Sequence, residues 1–155
     1  MQVKEIMSTK VITVKHSHTL KQLLETFASF HLFPLVAVTN EDGRLTGVVS
    51  FRNLLNAFHP RQSELLKGVP FLDEQEEDIF QEDFTKDIGT LVIVEDIMES
   101  NFISIKEDAP LQEAYNLMKF HLKEEIPVIN SDSKLVGIIG IFDIVRQIFY
   151  EKGVI

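Results

Sequence analysis

Apolar positions along the chain fall into two signatures, and each occurs twice. In the first, Leu20, Leu23, Leu24 and Phe27 recur at the three-and-four spacing of one helix face, and Leu111, Ala114, Leu117 and Met118 do the same farther on. Thr19, with Gln22 three residues later, has the form of a capping box, and Pro110 suits the first turn of the later helix. In the second signature, short runs are apolar without alternation: Leu35–Thr39 and Leu45–Val49, then Val128–Ile129 and Leu135–Ile139. Runs of that kind predict strands covered on both faces. The members of each pair flank a polar turn, NEDGR or NSDSK, in which Asp42-Gly43 is a hairpin signal. A short β-rich run precedes each helix (Val11–Val14, Phe102–Ile105), and each last strand passes directly into a second helix (Phe51–Phe58, Ile141–Phe149).

The order is β-α-β-β-α, twice, and the sequence itself is duplicated. VKEIMSTKVITVKHSHTLKQLLETF from Val3 aligns with VEDIMESNFISIKEDAPLQEAYNLM from Val94 at a constant offset of 91. FPLVAVTNEDGRLTGVVSFRNLLNAF from Phe33 then aligns with IPVINSDSKLVGIIGIFDIVRQIF from Ile126, with small indels in the connections. One copy cannot cover both faces of its own strands. The two should therefore pack together with pseudo-two-fold symmetry as an α/β (sandwich-like α+β) fold. The expected division is repeat 1 at 1–59, an insert at 60–92 and repeat 2 at 93–155.

Composition narrows the class. At 155 residues and 45% hydrophobic content, a packed globular protein is expected. No apolar run approaches the ~18 residues that span a bilayer, and the opening MQVKEIMSTK lacks the apolar core of a secretion signal. The absence of cysteine excludes disulfides, thiolate metal sites and cysteine nucleophiles, and fits a reducing cytoplasm. A net charge of −9 argues against a nucleic-acid partner. The charge is local: Asp73 to Asp87 holds eight acids against one lysine, so the rest of the chain is nearly balanced. The insert reads as a short helix (RQSELLKG) followed by a solvated acidic linker helix, or as a docking surface or cation-sensitive lid.

Candidate chemistry lies at the two strand-to-helix joins, Gly47-Val48-Val49-Ser50-Phe51-Arg52-Asn53 and Gly137-Ile138-Ile139-Gly140-Ile141-Phe142-Asp143. A small polar or acidic residue placed there can cap the helix. It can equally face a ligand, because a carboxylate accepts from two adjacent ribose hydroxyls through charge-assisted bonds and a helix N-terminus favours oxygen-rich groups. His16 and His18 have no evident third ligand, so no metal site is expected. The phosphate-loop, dinucleotide-fold, zinc-protease and nucleophile-elbow signatures are absent, and an enzyme is not expected.

The duplicated order resembles a tandem pair of cystathionine-β-synthase (CBS) domains, a Bateman module. The resemblance is carried by Glu5-Ile6-Met7 and Asp96-Ile97-Met98, by Pro34 and Pro127 ahead of the middle strands, and by the two joins. It covers nearly all of the chain except the insert. It implies a cytoplasmic regulatory module that binds AMP, ADP, ATP or S-adenosylmethionine in clefts between the repeats, with no required cofactor and no membrane partner. It also implies a disc-like homodimer that relays occupancy to an unidentified regulated protein. Carried onto the joins, the family's hydroxyl and carboxylate positions are Ser50 and Asn53 in the first copy and Gly140 and Asp143 in the second, so each copy keeps a different half of the pattern. Met7, Ile12, Phe30 and His31 are expected across from Ile138 and Asp143. Met98, Ile103 and the segment before Pro127, with Glu124 and Glu125, are expected across from Val48 and Asn53. Arg52 and His31 are the candidate phosphate partners, and Glu124 and Glu125 would disfavour phosphate in the Asn53 cleft. The alternative reading is a ligand-free structural or dimerisation module in which these residues only cap helices.

Overall fold

The computed structural model describes residues 1–57 and 87–155. The expectations for the insert up to residue 86, acidic helix included, lie outside the described residues. A 3-10 turn, Val3–Glu5, opens the chain. Then follow β1 (Thr13–Lys15), α1 (Leu20–Thr26), β2 (Val36–Thr39), β3 (Leu45–Val49) and α2 (Phe51–Asn56). After the insert come two short helices, α3 (Ile88–Leu91) and α4 (Val94–Ile97). The second copy supplies β4 (Ile105–Lys106), α5 (Leu111–His121), β5 (Glu125–Ile129), β6 (Leu135–Gly140) and α6 (Ile141–Glu151).

Each copy builds one three-stranded sheet. β1 runs parallel to β2 and β2 antiparallel to β3; β4, β5 and β6 repeat that order. The mixed architecture matches the expected β-α-β-β-α order. Several boundaries move because pairing, not local apolarity, sets a strand's length. The run from Val11 becomes β1 only where Thr13–Lys15 face Ala37–Thr39. The run from Phe102 shortens to Ile105 and Lys106, facing Val128 and Ile129. β5 begins three residues before the expected Val128, at Glu125, because Glu125 is in register with Gly140.

The local signals act as their chemistry requires. Thr19 Oγ1 accepts from the Gln22 N–H at 3.2 Å, and the Gln22 amide oxygen accepts from the Thr19 N–H at 2.8 Å, closing the box at the start of α1. Leu20, Leu23 and Phe27 are buried, whereas Leu24 is 41% exposed, so the inward stripe of this short helix is narrower than its spacing predicts. Pro110 is the N-cap of α5 in extended conformation and not part of its first turn. In both hairpins an asparagine organises the turn. Asn40 Oδ1 accepts from the N–H groups of Asp42 and Arg44, and Asn130 Oδ1 accepts from those of Asp132 and Lys134. The left-handed position that follows is filled by Gly43 in one turn (φ +80°) and by Ser133 in the other (φ +63°).

The two copies are joined by an exchange. One core holds Val14, Leu20, Leu23, Phe27, Val36, Val38 and Val49 of the first copy, together with Val94 of the second. The other holds Ile105, Ala114, Met118, Ile126, Val128, Ile139 and Ile144 of the second copy, together with Val3 of the first. Val3 and Val94 are fully buried, each stabilising the other copy's core by about 2 kcal/mol. The backbone repeats the exchange. The Val3 N–H donates to the Ala109 carbonyl, and the Val94 N–H to the His18 carbonyl. Ser8 and Ile138 exchange both of their N–H···O bonds, as do Glu99 and Val48. The hairpins meet as well: the Leu45 N–H donates to the Ser133 carbonyl and the Leu135 N–H to the Gly43 carbonyl, two equivalent bonds about the pseudo-two-fold.

These crossings explain the glycine at each join. A Cβ on Gly137 would stand 2.7 Å from Met7 Sδ and 2.8 Å from the Ser8 carbonyl oxygen. A Cβ on Gly47 would meet Met98 Sδ at 2.7 Å, but the Glu99 carbonyl only at 3.2 Å. A methionine side chain can yield, whereas a bonded carbonyl cannot. Gly137→Ala should therefore destabilise by about 2 kcal/mol and Gly47→Ala by about 1 kcal/mol, read as a lower urea midpoint at an unchanged m-value.

Candidate functional site

At the first join, Ser50 and Asn53 bond reciprocally. The Asn53 amide oxygen accepts from the Ser50 N–H at 2.8 Å and from the Ser50 hydroxyl at 2.9 Å, while Ser50 Oγ accepts from the Asn53 N–H at 3.3 Å. At the second join no hydroxyl is present. Asp143 Oδ2 accepts from the Gly140 N–H at 3.0 Å, and Oδ1 accepts from Arg146 at 3.0 Å in an ion pair. A Cβ on Gly140 would lie 3.2 Å from Asp143 Oδ2, so glycine leaves the carboxylate room to fold back onto the backbone. Asn53 and Asp143 thus reach back from the first turn of α2 and α6 to the backbone N–H of the residue before each helix, as the third position of a capping box does.

Beside the second join the exchange creates a cleft of about 490 Å³. Its base is the bridge between Ser8 and Ile138, where the opening segment of the first copy crosses β6. Val11, Ile12, Phe27, Phe30 and Pro34 supply an apolar wall from one copy, and Ile138 faces them from the other. Phe27 packs edge-to-face on Phe30, with ring centroids 5.1 Å apart, and on Phe33 at 5.4 Å, which steadies the aromatic side of the wall. Lys10 and Glu125 add one charge of each sign, and the Leu35 N–H donates to Glu125 Oε2 at 3.3 Å across the two copies. Such a cleft can hold a flat heterocycle against Phe30 and Ile138 and leave polar substituents near Ser8, Lys10 and Glu125.

Two of the residues expected across from Asp143, Ile12 and Phe30, are brought together here with Ile138 of its own join. Met7 instead packs on the second core with its sulfur against Gly137. His31 is exposed and lies outside the lining, as do Gly140 and Asp143. In the first copy, Val48 is buried and bonded to Glu99, Met98 packs against Gly47, Ile103 is half-buried against the second core, and Arg52 is exposed on α2. One placement is corrected. Glu125, expected in the Asn53 cleft, lies in the Ile138 cleft, because its register with Gly140 fixes it beside its own copy's join. Lys10, Ser8 and Val11 were not singled out from the sequence. Their signal was adjacency to Ile12 on the crossing segment. Among the described residues, no group of three histidines or acids could hold a metal; His18 Nδ1 accepts from the Lys15 N–H at 3.3 Å. No helix among them is long and apolar enough to cross a membrane.

The family profile of the CBS domain matches residues 3–60 and 94–150. A CBS domain-containing protein of Dictyostelium discoideum is 29% identical over 139 residues, covering 88% of this chain and 83% of its own. The inosine-5'-monophosphate dehydrogenase of Methanocaldococcus jannaschii is 26% identical over 149 residues; the match covers 96% of this chain but only 24% of the dehydrogenase. Among solved structures, CBSX2 in complex with AMP superposes with a TM-score of 0.70 at 22% identity, covering 97% of this chain and 98% of that one. The CBS domain pair of protein MJ0100, in complex with 5'-methylthioadenosine and S-adenosyl-L-methionine, gives 0.65 at 20% identity, covering 97% and 98%. At these identities the structures establish the fold alone.

The caps generate a stability prediction that is independent of any ligand. Ser50→Ala and Asp143→Ala should each cost about 1 kcal/mol in urea unfolding. Arg146→Ala should cost only a few tenths, about 0.3 kcal/mol, because Arg146 is 57% exposed and its ion pair with Asp143 is screened.

Proposed function

The chain belongs to the CBS domain family, and we propose that it is a cytoplasmic regulatory module that takes an adenosine-containing ligand in the cleft over Ile138 and relays occupancy to a partner protein. One observation carries the reading. The cleft is walled by apolar side chains of both copies and based on the backbone bridge that ties them, so a base bound there touches both copies at once. Such a ligand favours whichever arrangement of the copies closes best around it, and its differential affinity is the signal. The related fold solved with AMP, and that solved with 5'-methylthioadenosine and S-adenosyl-L-methionine, support the choice of ligand class. AMP, ADP, ATP and S-adenosylmethionine are the candidates, with no separate cofactor and no catalytic role. Repeat 1 at 1–59 and repeat 2 at 93–155 act as the two halves of the sensor, with 60–92 as the insert between them. Phe51, Leu55, Phe142 and Phe149 present exposed apolar surface on the equivalent helices α2 and α6, and a second copy of the chain is the partner proposed to cover them.

The closed bonding at both joins favours a second reading, a dimerisation module whose clefts no longer bind. A thermal-shift screen separates the two. A ligand present at a hundred times its dissociation constant should stabilise the protein by about 2.7 kcal/mol. Ile12 is 43% exposed, so Ile12→Ser should leave the unliganded melting temperature nearly unchanged while weakening the active ligand about fivefold. Silence with all four candidates, together with a dimer in sedimentation, would establish the structural module instead.

A further inference from the structure

Two charged side chains line the cleft over Ile138 without pairing. Lys10 stands on the crossing segment next to Val11 and Ile12, and Glu125 is the first residue of β5. Among the described residues neither forms a salt bridge, so their charged ends stand more than 4.0 Å apart. Glu125 instead accepts from the Leu35 N–H at 3.3 Å, which holds its carboxylate at the cleft. The remaining named wall is apolar apart from Ser8.

This distribution discriminates among adenosine derivatives by charge. A phosphate monoester would gain Lys10 and be opposed by Glu125, since like charges at close quarters disfavour each other. A nucleoside without a charged tail would leave both ions beside its apolar surface, with hydration lost and nothing gained in return. A ligand carrying one charge of each sign satisfies both, through charge-assisted hydrogen bonds at two points. We propose that the cleft selects an adenosine derivative with an α-amino-acid group on its 5' side, the carboxylate meeting Lys10 and the ammonium meeting Glu125. The inference rests on the adenosine reading and narrows it from the whole nucleotide class to nucleosides bearing a free α-amino acid. Both contacts are partly exposed, so together they correspond to a preference of about tenfold.

Calorimetry with three probes tests it. S-adenosylhomocysteine and 5'-methylthioadenosine share the adenosine and the thioether and differ in the amino-acid group; AMP substitutes a phosphate. On the wild-type chain, S-adenosylhomocysteine should bind about tenfold more tightly than 5'-methylthioadenosine and more tightly than AMP. Glu125→Gln and Lys10→Gln lie at exposed positions, and matched melting curves will verify that both fold. Each should reduce the ratio of the S-adenosylhomocysteine affinity to the 5'-methylthioadenosine affinity to about threefold or less. Equal binding of the two thioethers, tighter binding of AMP, or an unchanged ratio in both variants overturns this inference and leaves the adenosine reading standing. Absence of binding by all three probes overturns the adenosine reading, and this inference with it.

Discussion

Everything distinctive about this molecule depends on the exchange of Val3 and Val94 between the two cores. Each copy buries a valine that belongs to the other chain half, and each valine is held by a backbone bond to its host. Neither core is complete without the opposite copy, so the described residues should behave as one cooperative unit. The exchange forces the chain after each valine to cross the last strand of the opposite sheet. That crossing determines where glycine is required, where methionine sulfur packs and where a cleft can open. The cleft over Ile138 is therefore a consequence of how the cores are completed. On the proposed reading, a ligand there would press on the segment from Ser8 to Ile12, which continues directly from the exchanged turn, and its binding energy would act on the junction that holds the copies together.

The sequence reveals most of the elements and little of the exchange, for a physical reason. Periodicity reports that a residue seeks burial, but not whose core will take it. Thr19 with Gln22 is a contact between neighbours and could be read directly, and β3 occupies the run Leu45–Val49 that apolarity indicated. Val3 stands between Gln2 and Lys4, and Val94 ends the apolar run Leu91–Val94; in neither case does the local pattern say that the opposite copy's core will bury it. Leu24 errs in the opposite direction: it keeps the helical spacing, yet α1 is too short and too lightly covered to bury it. Asp42-Gly43 signals the first hairpin in the sequence, and the second has no such pair. The stronger determinant is the asparagine before each turn, which is why Ser133 can occupy a left-handed position that Gly43 fills in the other copy.

The site was legible to the same degree. Ile12, Phe30 and Ile138 could be assigned to one cleft from a family resemblance, because their positions follow from the order of the elements. Glu125 could not, because its place depends on the register of β5 against β6, and a shift of one residue would turn its side chain to the other face. Lys10 could not either, since an exposed lysine beside an apolar run carries no signal until the opposite copy is brought across from it.

The two joins have the same geometry and opposite polarity. At the first, the Asn53 amide oxygen is engaged twice by Ser50, so what the side chain offers beyond its cap is its amide N–H donors. At the second, one Asp143 oxygen is held by a backbone N–H, while the other is held by Arg146, which is more than half exposed. An exposed ion pair is worth little, so that oxygen can change partners at small cost. Asp143 can therefore remain a helix cap through Oδ2 while Oδ1 accepts a hydroxyl from a ligand, whereas Asn53 has no acceptor to give without opening its own cap. Capping and recognition are compatible at Asp143 and in competition at Asn53. That difference arises from one nitrogen in place of one oxygen, and it makes the pseudo-two-fold of the backbone a poor guide to the chemistry of its two sites.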